Sequence, residues 1–153
     1  MIGEKLRDGS ERPLGRAVLA LCRYRKDEVD CRRALDDALQ ALREVDAKQR
    51  LAFVLTQAAT IESERGELES AAARAREAAQ LGEILQQPSE TALARAVLLR
   101  IARERGDLEE MREQASKLAK LGGYANHVRS VVEREIAASG LSLGSDPSEL
   151  GAR

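Results

Sequence analysis

The chain has 153 residues, of which 25 are basic and 26 are acidic, so its formal net charge is −1. This length suits one domain, and the balanced charge argues against a general attraction to nucleic acid or to anionic membranes. Two tyrosines, one phenylalanine and no tryptophan leave too few aromatic rings for stacking single-stranded nucleic acid. We therefore expect neither a nucleic-acid partner nor a membrane partner.

Helical periodicity covers nearly everything between Pro13 and Ser139, and the alternating β-branched runs that form strands are absent from the sequence. We predict seven helices. The first helix begins near residue 13. The next five span about 30–43, 46–65, 67–81, 90–105 and 107–121, and the seventh contains the apolar residues between 128 and 136.

Several residues are predicted to set the helix ends. Asp46 and Ser89 are expected N-caps, because their side chains can accept hydrogen bonds from free backbone N–H groups. Gly82 is expected to end the fourth helix in the left-handed conformation, and Gly122 and Gly123 are expected to separate the last two helices.

Apolar residues at helical spacing predict the buried helix faces. In the first helix, this face comprises Ala17, Val18, Leu21 and Cys22. In the third helix, it comprises Leu51, Val54, Leu55, Ala58, Ala59 and Ile61. In the seventh helix, it comprises Val128, Val131, Val132 and Ile136. Cys22 and Cys31 are accordingly expected to be buried thiols, with a disulfide or a redox role as the less favoured alternative.

Residues 64–69 (ERGELE) return forty residues later as residues 104–109 (ERGDLE). The surrounding sequence repeats in register, with the matching pairs Ile61/Ile101, Ala75/Ala115, Ala79/Ala119, Leu81/Leu121 and Gly82/Gly122. A weaker first copy aligns Ala34, Ala38 and Ala41 with Ala71, Ala75 and Ala78. Helices on both sides of a repeated glycine predict a duplicated helical hairpin.

The predicted architecture is an all-α solenoid of about three stacked helical hairpins with a C-terminal capping helix, over residues 13–139. Residues 1–12 are predicted to form a flexible N-terminus, and residues 140–153 a disordered tail, because glycine and serine are frequent there. The first residues mix charges and lack the apolar stretch of a secretory signal, which predicts a cytoplasmic protein.

These hairpins resemble the tetratricopeptide-repeat family, in which a glycine and an acidic residue join the two helices of each hairpin and small residues line the close helix contacts. The turn is represented by Gly66-Glu67 and Gly106-Asp107. The inward positions of the second helices are represented by Ala71, Ala75, Ala78, Met111, Ala115 and Leu118. The sequence departs from the family in its period of forty instead of about thirty-four residues and in its few aromatic residues. An unrelated helical bundle is the alternative.

The resemblance implies that the first helix of each hairpin forms an inner surface that binds a partner. Apolar Leu19, Phe53, Leu93 and Ala96 would lie at the starts of those helices, neutral Thr60 and Ser63 between, and basic Arg23, Lys26, Arg100 and Arg103 at their ends. Such a surface suits a protein or peptide segment with apolar anchors and acidic residues.

Alternatives stay open at several of these positions. The basic residues would also be favoured by the helix dipole and by nearby Asp27, Glu64 and Glu104, with no ligand. Phe53 would be the best single anchor if it is exposed, but a place in the core is favoured. The family's carboxylate clamp is not expected, because its polar positions are occupied by Leu19, Gln57, Leu93 and Val97.

Catalytic and cofactor sites are not expected. His127 is the sole histidine and is interpreted as a surface group, and Glu62, Glu64, Glu109 and Glu110 are interpreted as solvated helix faces. The predicted function is a non-catalytic protein-interaction module, such as an adaptor, scaffold or dedicated chaperone. The alternatives are a regulatory domain of a larger signalling or transcriptional system and a self-assembling structural protein, so homo-oligomerisation stays open.

Overall fold

The structure is a computed structural model that describes residue 9 and residues 11–141. This part of the chain folds into seven α-helices and contains no strand, as the sequence predicts. The helices are α1 (Glu11–Arg25), α2 (Cys31–Glu44), α3 (Lys48–Glu64), α4 (Leu68–Ile84), α5 (Pro88–Arg105), α6 (Leu108–Lys120) and α7 (Asn126–Ala138). Most of the expected flexible N-terminus and residues 142–153 of the expected tail lie outside the described residues.

The helices pack as a consecutive array of hairpins, which confirms the predicted solenoid. The pairs α1–α2, α3–α4 and α5–α6 form the hairpins. Helices α1, α3, α5 and α7 each contact the next, and we call them the first-helix layer. Helix α2 also contacts α3, and α4 also contacts α5, so each of these second helices packs against two members of that layer.

Four of the turns between helices each contain one residue in the left-handed backbone conformation. Asp46, Gly66, Gln86 and Gly106 follow the ends of α2, α3, α4 and α5, and all have positive φ angles between 53° and 80°. They are spaced twenty residues apart in the sequence. Asp46 therefore belongs to the turn, with Ala47 as the N-terminal flanking residue of α3, so its prediction as an N-cap is wrong. The predicted start at Asp107 is confirmed, because its carboxylate accepts a 3.1 Å hydrogen bond from the Glu110 N–H.

Gly82 does not end α4, which continues to Ile84. A Cβ atom at Gly82 would lie 2.4 Å from Thr91 Oγ1 and 2.9 Å from the Thr91 backbone nitrogen. The glycine therefore permits the close approach of α4 and α5. Ser89 does not cap α5 either, because its hydroxyl accepts a 3.0 Å hydrogen bond from the Ala125 N–H just before α7.

Gly82→Ala should lower the free energy of unfolding by about 1–3 kcal/mol, because the overlap with the Thr91 backbone outweighs the gain in helix propensity. Gly15→Ala is the matched control, since Gly15 is also helical and a Cβ there has no described atom within 4 Å. That variant should be neutral or more stable by up to about 1 kcal/mol. Urea denaturation of both variants measures the difference. Equal stabilities would contradict the close contact.

Alanine and leucine side chains fill the interior. The predicted buried face of α3 is confirmed in full, and Ala71, Ala75 and Ala78 of α4 are fully buried. In α1, the buried residues are Ala17, Ala20, Leu21 and Tyr24. Val18 and Cys22 are exposed, which corrects two residues of the predicted face; Cys31 is buried as expected.

Helix α7 covers the C-terminal end of the array. Val128, Val132 and Ile136 are buried in one cluster with Met111 and Leu118 of α6. Leu141, which follows α7, is half-buried and packs against the same cluster. None of the described helices has both the length and the apolar composition needed to cross a membrane.

Candidate binding surface on the first helices

Phe53 lies in the first part of α3 and is 41% exposed. Its expected place in the core is therefore wrong, because Ala52, Val54 and Leu55 occupy the buried positions of the same turn. The phenylalanine is instead available on the surface, where an aromatic ring is a strong anchor for a partner.

Phe53 belongs to a stripe of residues at equivalent positions of α3 and α5. The spacing of three and four residues keeps the members on one side of each helix. We call them the inner stripe: Phe53, Gln57, Thr60 and Glu64 of α3 and Leu93, Val97, Arg100 and Glu104 of α5. All eight are half-buried or exposed, α3 and α5 contact each other, and the ion pair between Glu64 and Arg100 joins the two halves at one end.

Two residues expected on this surface lie inside the protein. Ala96 is 1% exposed and Ser63 is 2% exposed. The Ser63 hydroxyl donates a 2.9 Å hydrogen bond to the Thr60 carbonyl, which satisfies it within α3. Thr60 remains in the stripe, with its own hydroxyl donating to the Thr56 carbonyl at 2.9 Å.

Arg100 lies between two carboxylates at one end of the inner stripe. Its guanidinium is 3.4 Å from Glu104 on the same helix and 3.9 Å from Glu64 on α3. The arginine is thus already paired, and a partner carboxylate would have to compete with these two.

Arg103 lies outside the inner stripe and holds α7 in place. Its Nη1 atom donates to Glu135 Oε2 at 2.9 Å and to the Glu135 carbonyl at 3.3 Å. This side chain therefore fixes the capping helix to α5, a role that the sequence did not indicate because α7 carries no copy of the repeat.

Glu90, which sequence reasoning missed, extends the inner stripe toward the start of α5. It precedes Leu93 by three residues, so both lie on the same side of the helix. Its Oε2 atom is buried without a hydrogen bond from any described residue, and burial raises the pKa of the carboxyl group above its usual value. The three-residue spacing between Glu90 and Leu93 is the sequence feature that could have identified Glu90 as a member of this surface.

Leu19 and Arg23 lie on α1 rather than in the inner stripe. They line a groove of about 210 Å³ between α1 and α2, and Leu19 is 54% exposed. Lys26 is exposed in the turn after α1. The predicted site residues are therefore divided between two surfaces.

A buried charged network lies between the first two hairpins. Glu62 is 0% exposed, so its prediction as part of a solvated face is wrong. Its Oε1 atom accepts hydrogen bonds from the Tyr24 hydroxyl at 2.8 Å and from Arg74 Nε at 2.9 Å. Arg74 also donates from Nη2 to Asp36 at 3.0 Å, so the network connects α1, α2, α3 and α4.

Tyr24 is held on several sides within this network. Burial, and to a smaller extent the hydrogen bond to Glu62, raises the pKa of the Tyr24 hydroxyl above its usual value. The Arg65 guanidinium lies 4.7 Å from the centre of the Tyr24 ring and donates a hydrogen bond to the Tyr24 carbonyl. These contacts fix the position of α1 against α3.

A second internal network joins the last two hairpins. Arg95 is 9% exposed and donates to Gln114 Oε1 at 3.1 Å and to Glu83. It therefore ties α5 to both α6 and α4.

His127 is exposed near the start of α7, as expected.

Comparisons with known proteins give no match for this chain. No protein-family model matches it, and neither a curated protein nor a solved structure does so.

Proposed function

We propose that this chain is a non-catalytic protein-interaction module that holds a segment of another protein on the inner stripe. The observation that carries the proposal is the exposure of Phe53 beside the partly exposed Leu93 and Val97 on the adjoining helix. Single exposed apolar residues are ordinary, but an aromatic residue with apolar neighbours at repeated positions indicates a contact surface. An adaptor, a scaffold and a dedicated chaperone all fit this description.

The apolar residues should supply most of the binding energy. Burial of an exposed aromatic side chain is favourable at about 25 cal/mol per Å² of apolar surface, and aromatic anchors dominate many interfaces. Arg100 contributes less, because Glu64 and Glu104 already balance its charge. We therefore propose that the partner segment carries apolar anchors, with an acidic group near Arg100 as a secondary feature.

The absence of catalysis remains part of the proposal. The two most deeply buried ionisable groups among the described residues, Glu62 and Tyr24, bond to each other, and Glu62 also accepts a hydrogen bond from Arg74. They hold helices together rather than converge on an open cleft. The resemblance to the tetratricopeptide-repeat family supports the same function, since the first helices of that family form the inner surface.

Phe53→Ala should weaken the binding of a peptide selected from a displayed library on the unmodified protein. We expect a loss of about 10- to 100-fold in affinity, as for an aromatic anchor. Isothermal titration calorimetry measures the affinity, and circular dichroism should show that the variant still folds, because Phe53 is 41% exposed and lies outside the buried core.

Ile84→Ala is the control for this experiment, because Ile84 is 67% exposed at the end of α4, outside the inner stripe. It should leave the affinity unchanged. Arg100→Glu then reports the charge of the partner segment, since only an acidic peptide should bind this variant less tightly and in a salt-dependent manner. Selected peptides that bind Phe53→Ala as tightly as the unmodified protein would contradict the proposed surface.

A further inference from the structure

The N-terminal end of the array has an open groove between α1 and α2, which we call the end groove. Its lining residues are Arg16, Leu19, Ala20 and Arg23 of α1 and Ala34, Asp37, Ala38 and Ala41 of α2. The groove has a volume of about 210 Å³. At the opposite end of the array, α7 covers the last hairpin.

The alanines of the end groove are partly open to solvent. Ala34 and Ala41 are half-buried, at positions that correspond to Arg74 and Leu81 forty residues later in the next hairpin. Beside these alanines, Leu19 is 54% exposed. The end groove thus combines a projecting leucine with a shallow cleft, and both are apolar.

The charges of the end groove have opposite signs on its two helices. Arg16 and Arg23 lie on α1, and Asp37 lies on α2. Within the described residues, Arg16 and Asp37 form no hydrogen bond or ion pair, and Arg23 is 3.9 Å from Glu28 in an exposed pair. These charges therefore remain available to a partner.

We propose that a second copy of this chain occupies the end groove and forms a two-fold symmetric dimer. An isologous interface requires that a surface patch carry its own complement. The end groove meets this requirement, because it contains both a projecting leucine and an alanine cleft, and both basic and acidic side chains.

A two-fold axis parallel to the helices places α1 of one copy over α2 of the other. Leu19 then enters the alanine cleft of the second copy, and Arg16 and Arg23 face its Asp37. This arrangement is an antiparallel packing of neighbouring helices, as in a four-helix bundle. A purely acidic peptide fits less well, because it would meet Asp37 beside the arginines.

Leu19→Glu tests the apolar part of this dimer. Sedimentation equilibrium over a range of concentrations should show a monomer–dimer equilibrium for the unmodified full chain. The variant should have a dimer dissociation constant at least about 10-fold higher, because a charge replaces the central apolar contact. Leu108→Glu is the matched control, since Leu108 is 62% exposed at the start of α6, and it should dimerise normally.

Charge reversal tests the predicted pairing between copies. The Arg16→Asp/Arg23→Asp double variant should be monomeric alone, because its end groove becomes entirely acidic. Asp37→Arg should be monomeric alone, because its end groove becomes entirely basic. A mixture of the two variants should form a heterodimer, since each α1 then faces an oppositely charged α2.

Two results would overturn the proposal: an unmodified chain that stays monomeric at the highest concentration, or variants that dimerise alone and gain nothing on mixing. The outcome is independent of the peptide-binding function. Leu19→Glu should retain peptide binding on the inner stripe, and Phe53→Ala should retain dimerisation.

Discussion

Replacing Ala75 with glutamate should lower the free energy of unfolding by about 3–5 kcal/mol, because the new side chain needs both space and a counter-charge that the interior lacks. Ala75 is 0% exposed and packs in a cluster with Leu98 and Ile101 of α5. The substitution should therefore separate α4 from α5 or unfold the second hairpin.

Chemical denaturation followed by circular dichroism measures this effect. Ala115 is the equivalent alanine of the last hairpin and is only half-buried, and Ala119 of α6 is exposed. Ala115→Glu should therefore cost less than Ala75→Glu, and Ala119→Glu should change stability by no more than about 0.5 kcal/mol. Equal losses at positions 75 and 115 would show that the end of the array is packed as tightly as its middle.

Glu62→Ala should lower the free energy of unfolding by a similar amount, about 3–5 kcal/mol. The substitution removes the buried acceptor of both the Tyr24 hydroxyl and Arg74 Nε. The arginine then keeps only its exposed partner Asp36, and breaking a buried pair is costly because the remaining charge is left without compensation.

Glu64→Ala is the control, because Glu64 lies two residues further along α3 and is exposed. Its 3.9 Å ion pair with Arg100 should contribute no more than about 1 kcal/mol. A triple variant, Glu62→Met/Tyr24→Phe/Arg74→Met, removes the whole network and should regain much of the lost stability. If Glu62→Ala and Glu64→Ala prove equally stable, Glu62 does not connect the first two hairpins through a buried network.

The helices themselves were predictable because their signals are local. The face of α3 that contains Leu51, Val54 and Leu55 follows from apolar spacing alone, and the predicted start of α6 near Asp107 agrees with the structure. The turns were less predictable. Gly82 was interpreted as a helix end, whereas Gln86 adopts the left-handed conformation after α4.

The candidate surface was predicted only in part. Leu93, Thr60 and Arg100 lie in the inner stripe, but Phe53 was expected in the core. The sequence shows that Phe53 lies next to the buried face of α3; whether another helix covers it depends on the packing of the array. Arg103 shows the same dependence, because its partner Glu135 lies on α7, thirty-two residues away.

The sequence by itself determined the all-α class, the helical hairpins and the residues that share each helix face, because these depend on spacing within a few turns of chain. Only the tertiary structure decided which faces are covered. Glu62 and Glu64 differ by two positions, yet one is buried under Arg74 and the other is exposed. Ala75 and Ala115 are equivalent by sequence, yet they differ in burial because one lies in the middle of the array and the other in its last hairpin.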